Sequence, residues 1–390
     1  MKLFYIFSER GIKMGVLSTL FSNVQNLNIK QLIMWVIGAV LIYLAIKKKM
    51  EPTLLLPIGF GAILVNLPMS GAITQKVGEI VQEGPISILF ESGIANELFP
   101  LLLFVGIGAM IDFGPLLSNP KLMIFGAAAQ FGIFFTLSLA SLFGFELRDA
   151  ASIAIIGAAD GPTSIFVATY FGTKYIGAII VAAYSYMALV PIVQPPVIKL
   201  LTTEKERKIK MSYNPGNVSK TAKIIFPIFV TILTGIVAPN AVALIGFLMF
   251  GNLIRECGVL DSLSKTAQAD LANLVTLFLG ITIAEKMQAD AFLNLQTLLI
   301  LGLGLIAFIF DTAGGVIFAK IINIFAKKKI NPMIGAAGIS AFPMSARVVH
   351  KLGLEEDSSN FLLTHTIGIN VSGQIASVIA GGLILNLIAR

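Results

Sequence analysis

Residues 149–171 read DAASIAIIGAADGPTSIFVATYF, an apolar stretch with an acid, a glycine and a proline at its centre. Gly161 and Pro162 disfavour a continuous helix, because proline lacks a backbone donor and restricts the residue before it. In lipid, the backbone groups freed by such a break must find partners inside the protein. If the chain lies in a membrane, this stretch therefore predicts a broken helix with Asp160 at the break.

The composition places the chain in a membrane. Of 390 residues, 56% are hydrophobic and only 13% are charged, whereas soluble domains carry roughly 25% charged residues. An ordinary cytosolic enzyme is excluded, and an all-α polytopic protein of the cell (inner) membrane is predicted. Cys257 is the single cysteine and there are two histidines, which excludes a disulfide framework and argues against a histidine zinc site.

Apolar runs of helical length cover most of the chain. Between Val16 and Ile29 apolar residues recur at helical spacing opposite polar ones, which predicts an interfacial amphipathic helix within an N-terminal segment, residues 1–30. The runs that follow lie at about 31–46, 52–66, 97–111, 121–143, 149–171, 176–198, 221–237, 239–254, 271–284, 293–319, 331–348 and 360–388.

The basic residues indicate topology rather than nucleic-acid binding. The densest clusters are at 47–49, 205–210 and 327–329, and the positive-inside rule places all three in the cytoplasm. Five apolar runs separate the first two clusters, but a return to the same side needs an even number of crossings. One run must therefore be re-entrant, and 149–171 is the best candidate. The same test makes 331–348 re-entrant and leaves the polar stretch 350–357 on the cytoplasmic side.

The two broken runs resemble each other, since GAADGP at 157–162 corresponds to GAAG at 335–338. The predicted topology gives the two halves opposite orientations. We therefore predict a transporter-like fold of two inverted-topology repeats, residues 31–198 and 221–390, joined by a cytoplasmic basic linker at 199–220. In such folds ions bind near the midplane, where helices are unwound.

The two breaks supply candidate ion ligands. Burying the Asp160 carboxylate at membrane depth costs on the order of 3 kcal/mol or more, so a functional role is expected; capping of the second half-helix is the alternative. The second break offers neutral oxygens from the Asn331 amide, the Ser340 hydroxyl and the carbonyls around Gly335. Hard cations such as sodium prefer oxygen ligands. Asn331 could equally be a cap before Pro332.

Four further residues are candidates for chemistry. Tyr184 and Tyr186 are either interface anchors or phenols that deliver a proton into a dry site. Arg347 is either an anchor or a group that binds a substrate carboxylate. Asp311 is the other intramembrane acid, which we rank below Asp160.

At Ala159–Thr163 (ADGPT) the sequence resembles the beta subunit of the sodium-translocating, biotin-dependent decarboxylases. The resemblance continues through AAYSYMALVPIVQPP at 182–196, GNLIRECGVLDSLSKTAQ at 251–268, IGAAGISAFPMSARV at 334–348 and NFLLTHTIGINVSG at 360–373. It covers most of the chain from about Asn96 onward.

The resemblance implies a carboxybiotin decarboxylase subunit of a sodium pump. In that family the beta subunit accepts carboxybiotin from a biotin-carrying carboxyltransferase alpha subunit, beside a small gamma/delta membrane subunit. It releases carbon dioxide, moves sodium outward and consumes a proton, with no cofactor covalently bound. The sodium residues would be Asp160, Asn331, Gly335 and Ser340. Tyr186 would serve in proton transfer, and Arg347 would lie near the carboxyl group.

Two other functions stay open at this point. A sodium-coupled carboxylate symporter or a cation/proton antiporter would use inverted repeats and broken helices equally well, without a biotin partner. A membrane scaffold is disfavoured, because it gives Asp160 no reason for its burial. A homo-oligomer of this chain within the decarboxylase complex is also compatible with the resemblance.

Overall fold

The computed structural model describes residues 26–77, 79–211 and 218–388. Most of the predicted interfacial helix between Val16 and Ile29 lies outside the described residues. Helices α1 to α9 span Ile29–Lys47, Pro52–Val65, Pro85–Phe90, Leu98–Met110, Gly114–Ser118, Met123–Ala129, Phe131–Leu142, Leu147–Ala154 and Gly161–Phe171. Helices α10 to α19 span Ile176–Leu201, Glu204–Arg207, Lys220–Val237, Val242–Glu256, Asp261–Thr266, Ala272–Ile283, Ala289–Phe292, Leu295–Phe325, Met344–Glu356 and Leu363–Ile388.

Among the described residues, a short antiparallel hairpin departs from the predicted all-α fold. Strand β1, Gln75–Val77, pairs with β2, Ile80–Gln82, with Gln75 opposite Gln82. The segment between α2 and α3 has no apolar run long enough to predict a helix, and two three-residue strands are too short to give a recognisable pattern.

The structure confirms a multi-pass, helical membrane protein. Within the described ranges six helical spans are long and apolar enough to cross a membrane, or up to eight if each of two bent pairs counts as one span. One bent pair joins Pro85–Ala95 to Leu98–Met110 at 60°. Each of the twelve apolar runs predicted from the sequence coincides with helical structure.

Both predicted breaks are present. In the first, α8 passes into a 3₁₀ turn at Ile155–Ala158, Ala159 is left-handed with φ 52°, and α9 begins at Gly161. In the second, a 3₁₀ helix at Pro332–Gly338 is followed by non-helical backbone before α18. Helix α18 continues to Glu356, so much of the polar stretch 350–357 is helical. The inverted orientation and the boundaries of the repeats stay predictions.

Glycines let the second break approach its neighbours closely. A Cβ on Gly335 would lie 2.0 Å from the carbonyl oxygen of Gly315 on α17. A Cβ on Gly373 of α19 would lie 2.1 Å from the carbonyl oxygen of Gly338. The backbone of the second break is therefore packed directly on the backbones of α17 and α19.

The linker and the second break meet at one end of the molecule. Arg207 Nε lies 2.7 Å from Glu356 Oε1, and Lys210 Nζ lies 3.1 Å from Asp357 Oδ2. The side-chain amides of Asn331 and Asn360 donate to the carbonyl oxygen of Arg207 at 2.7 and 2.9 Å. The linker and the stretch 350–357, both predicted to be cytoplasmic, thus lie on the same end.

Candidate functional site

Asp160 begins the second half of the first broken helix. Its Oδ1 accepts from the Thr163 amide at 3.3 Å, and its carbonyl oxygen accepts from the Ser164 amide at 3.0 Å. The left-handed Ala159 turns the chain immediately before it. Asp160 is thus an N-cap, where a carboxylate is favoured by free amides and by the helix dipole.

The other carboxyl oxygen of Asp160 joins the first break to α19. Oδ2 accepts from Thr163 Oγ1 at 2.8 Å, Gln374 Nε2 at 3.0 Å and Ser377 Oγ at 2.8 Å. The residue is 3% exposed and has no ion pair with a described Lys, Arg or His side chain. Neutral donors stabilise the carboxylate, but its formal charge is left for a bound cation or proton to balance.

Two neutral oxygens near this break lack hydrogen-bond partners. Ser340 Oγ and Asn370 Oδ1 are buried, and each has no partner among the described residues. The Ser340 amide donates to the Ala158 carbonyl at 2.9 Å, and Asn370 Nδ2 donates to the Ile339 carbonyl at 2.7 Å. Buried oxygens are normally paired, so this arrangement offers free ligands of the type that a hard cation prefers.

Helix α19 contributes a stripe of polar residues that the sequence analysis missed. Asn370, Gln374 and Ser377 have the spacing i, i+4, i+7 and therefore lie on one helix face. The signal was present in the apolar run 360–388, where these three polar residues recur at helical spacing. Gln374 and Ser377 of this stripe donate to Asp160, which lies more than 200 residues earlier.

The two candidate tyrosines have different surroundings. Tyr184 is fully buried against the first break, since a Cβ on Gly161 would lie 2.3 Å from its Cζ. Its hydroxyl has no described partner. Tyr186 instead donates its hydroxyl to the Leu301 carbonyl on α17, and its ring packs on Gly304. The first break is therefore contacted by the phenol of Tyr184, while Tyr186 remains the residue that the family resemblance names.

Asn331 and Gly335 lie earlier in the second break than Ser340. Asn331 caps the 3₁₀ helix by accepting from the Met333 amide at 3.1 Å, and its Nδ2 donates to the linker carbonyls of Arg207 and Ile209. Gly335 packs on Gly315. The structure thus places Ser340 at the first break and gives Asn331 the geometry of a cap. The sodium roles of Asn331 and Gly335 stay predictions.

Arg347 is exposed in the first turn of α18. Glu51 precedes α2 and follows the basic cluster at 47–49, and it is close enough to Arg347 for the two charges to interact. Burial raises the pKa of the Glu51 carboxyl, and the positive charge of Arg347 opposes that effect. Arg347 therefore lies at the end of the molecule that carries this basic cluster.

Comparison with known proteins identifies the family. The family model described as the Na⁺-transporting oxaloacetate decarboxylase beta subunit matches residues 30–388. The methylmalonyl-CoA decarboxylase subunit beta of Propionigenium modestum is 49% identical over 379 residues, which cover 93% of this chain and 95% of that protein. The oxaloacetate decarboxylase beta chain of Klebsiella pneumoniae is 45% identical over 412 aligned positions, which cover 92% and 95%. The methylmalonyl-CoA decarboxylase subunit beta of Veillonella parvula is 48% identical, with 92% and 93% covered. The chain belongs to the family of Na⁺-transporting oxaloacetate decarboxylase beta subunits.

Proposed function

We propose that this chain is the membrane subunit of a decarboxylase sodium pump and that carboxybiotin, held by a partner subunit, is decarboxylated on it. The observation that carries this proposal is Asp160, a buried carboxylate with no cationic partner among the described residues, close to the point where the two broken segments meet. Family membership supplies the reaction class, and the site supplies a place for the transported ion.

Sodium would bind between the two breaks. Asp160 provides the charge, and Ser340 Oγ and Asn370 Oδ1 provide neutral oxygens that make no hydrogen bond to any residue the structure describes. One carboxylate with neutral oxygens suits a monovalent cation better than a divalent one, because divalent sites use more charge. Asn331 and Gly335 belong to the same proposal as supporting residues of the second break.

Carboxybiotin would arrive from the end where Arg347 is exposed. The guanidinium can hold a carboxylate through two parallel hydrogen bonds. Carboxybiotin supplies a carboxyl group whose loss as carbon dioxide leaves negative charge that a proton donor must neutralise. Tyr186, and Tyr184 at the first break, are the phenols available for this proton transfer.

Coupling would come from the joint between the breaks. The backbone amide of Ser340 is hydrogen-bonded to the Ala158 carbonyl, and the Asp160 side chain is hydrogen-bonded to α19. Movement of either break would therefore change the oxygens around Asp160 and the side from which the ion enters. Such alternating access is the general mechanism of folds with discontinuous helices.

The acid that feeds the complex belongs to a partner, which we expect to be a biotin-carrying carboxyltransferase alpha subunit. Relatives named for methylmalonyl-CoA and for oxaloacetate are 49% and 45% identical to this chain. A membrane subunit that receives only carboxybiotin needs no sequence change when the partner decarboxylates a different acid. A small gamma/delta membrane subunit completes the proposed complex.

Sodium uptake by the whole complex tests this function. Proteoliposomes containing the complex should accumulate radioactive sodium only while a carboxylated biotin protein is being decarboxylated. Avidin, which sequesters biotin, should stop both processes. Sodium uptake that continues with avidin, from a preparation in which streptavidin detects no biotinylated chain, would instead identify a secondary sodium-coupled transporter.

A further inference from the structure

A second acid lies in the interior of the protein. Asp311 occupies the middle of α17, which spans 31 residues, and it is 0% exposed. At 1.5 Å per residue, Asp311 lies roughly 24 Å from the start of the helix. This depth is well inside a bilayer, so the carboxyl group needs an explanation that the proposed sodium site does not give.

One oxygen of Asp311 caps a broken helix. Helices α6 and α7 are interrupted at Gln130, and α7 begins at Phe131. The amides of Gly132 and Ile133 both donate to the Asp311 carboxyl group, the Ile133 amide to Oδ1 at 3.2 Å. A capping role explains Oδ1 fully.

The other oxygen faces the first break and has no hydrogen-bond partner among the described residues. A Cβ on Gly157 would lie 2.7 Å from Asp311 Oδ2. Gly157 belongs to the 3₁₀ turn that leads to Asp160. The segment that carries Asp160 therefore also covers the free oxygen of Asp311.

Charged groups on the surrounding elements are engaged elsewhere. Lys320, on the same helix, donates to the Leu201 carbonyl and to Glu206. Helices α6 and α7 and the 3₁₀ helix at Pro332–Gly338 contain no titratable side chain. The titratable groups on α8, α9, α10 and the first break are Arg148, Asp149, Asp160, Tyr170, Tyr184, Tyr186 and Lys199.

These groups do not balance a charge on Asp311. Asp160 accepts a hydrogen bond from Ser377 on α19, and Asp149 accepts one from Thr173. The hydroxyl of Tyr186 donates to the Leu301 carbonyl. Arg148 and Lys199 are exposed at helix ends, and the Tyr184 phenol packs on Gly161. A carboxylate at position 311 would therefore be a buried charge with only two amide donors, which is less favourable than a neutral acid with one unpaired hydroxyl.

We propose that Asp311 is a proton-binding site: it is a neutral carboxylic acid while the first break packs on it, and it exchanges its proton with water when that segment moves away. The proton is held on Oδ2, and exchange breaks and re-forms that O–H bond alone. The second half of this inference rests on the proposed function, because it uses a moving first break. The protonation state itself does not.

Infrared difference spectroscopy of the purified complex tests the protonation state. Asp311→Asn keeps an oxygen for the Gly132 and Ile133 amides and places a donor where the acid has its hydroxyl. The wild-type spectrum minus the Asp311→Asn spectrum at neutral pH should contain the carbonyl band of a protonated carboxylic acid. Carboxylate bands in its place would overturn the proposal. This readout requires no pumping, so it stands apart from the proposed function.

Carbodiimide labelling supplies a measurement on the wild-type chain. Dicyclohexylcarbodiimide reacts with protonated carboxyl groups, and peptide mass spectrometry locates the adduct. An adduct at Asp311 that persists at saturating sodium, while sodium protects Asp160, supports the proposal. An unmodified Asp311 beside a modified Asp160 in sodium-free buffer counts against it.

The pH profile of turnover tests proton exchange. Because the Asp311→Asn side chain is permanently neutral, the variant should retain turnover, and its rate should fall less at alkaline pH than the wild-type rate. At the alkaline end of the profile the two rates, each divided by its own maximum, should differ at least tenfold. An unchanged profile would make Asp311 a helix cap only. Asp149→Asn, which changes an acid that accepts a hydrogen bond from Thr173 near the start of the first broken run, residues 149–171, is the matched control and should keep the wild-type profile.

Discussion

The backbone amide of Ser340 lies 2.9 Å from the carbonyl oxygen of Ala158 and donates a hydrogen bond to it. The bond joins the second break to the first at a position two residues from Asp160. Because it uses main-chain atoms, a substitution that keeps the backbone conformation leaves it in place. The side chains around it can therefore be varied one at a time.

The first prediction concerns the charge of Asp160. Asp160→Asn keeps the size of the side chain but removes the negative charge, so both decarboxylation and sodium uptake should fall by about 100-fold or more, as expected when a ligand interaction of about 3 kcal/mol is lost. The measurement is sodium-dependent turnover in proteoliposomes. Asp149→Asn should stay near wild type. Normal pumping by Asp160→Asn would show that the carboxylate has only its capping role.

The second prediction concerns the free hydroxyl of Ser340. Ser340→Ala removes a neutral ligand without breaking a hydrogen bond between described residues, so the sodium concentration for half-maximal activity should rise about fivefold, equivalent to about 1 kcal/mol. Thr282→Val is the control, because Thr282 Oγ1 is also buried without a described partner but lies on α15. Equal effects of the two variants would contradict a specific role for Ser340.

The third prediction concerns the contact between Gly161 and Tyr184. Gly161→Ala forces a methyl group against the phenol ring and should destabilise the protein by about 1–3 kcal/mol through overpacking. Thermal unfolding in nanodiscs measures the loss, and a second substitution, Tyr184→Leu, should restore part of it. Gly302→Ala, where a Cβ meets nothing within 4 Å, should be neutral or slightly stabilising. Failure of the double variant to recover stability would mean that the ring is not the obstacle.

The fourth prediction concerns the linker. Arg207 pairs with Glu356 through Nε and donates through Nη1 to the Thr202 carbonyl at 2.6 Å. These two paired side chains are only 13% and 14% exposed, so Arg207→Ala should lower the unfolding free energy by about 1–2 kcal/mol. Lys208→Ala is the control, because the Lys208–Glu204 pair is 46% and 65% exposed and such pairs contribute little. Similar melting temperatures for both variants would show that the Arg207 contacts of the linker do not stabilise the protein.

The breaks could be predicted because their cause is local. Gly161, Pro162, Pro332 and Pro343 act on the backbone near their own positions, and charge parity required two runs that do not cross. The polar stripe on α19 could not be paired with Asp160, since 214 residues separate Asp160 from Gln374 and no local pattern connects them.

The two tyrosines illustrate a second kind of missing information. Residues two apart on a helix point roughly 200° apart, so Tyr184 and Tyr186 face different neighbours. The sequence names both side chains but does not give the rotation of α10. In the structure that rotation turns Tyr184 to α9 and Tyr186 to α17.

The glycine contacts of the second break also bear on how fast it can move. The second break contacts its neighbours backbone to backbone, with Gly335 on Gly315 and Gly338 on Gly373. None of these four residues has a side chain that could interlock with the opposite backbone. A shift of the segment along α17 and α19 therefore needs no rotamer change at these four positions. The barrier would be set by a few hydrogen bonds such as that from Ser340 to Ala158. Because a Cβ at any of these glycines would lie within 2.7 Å of a neighbouring atom, a larger residue there should disturb the resting structure as well as slow the transition.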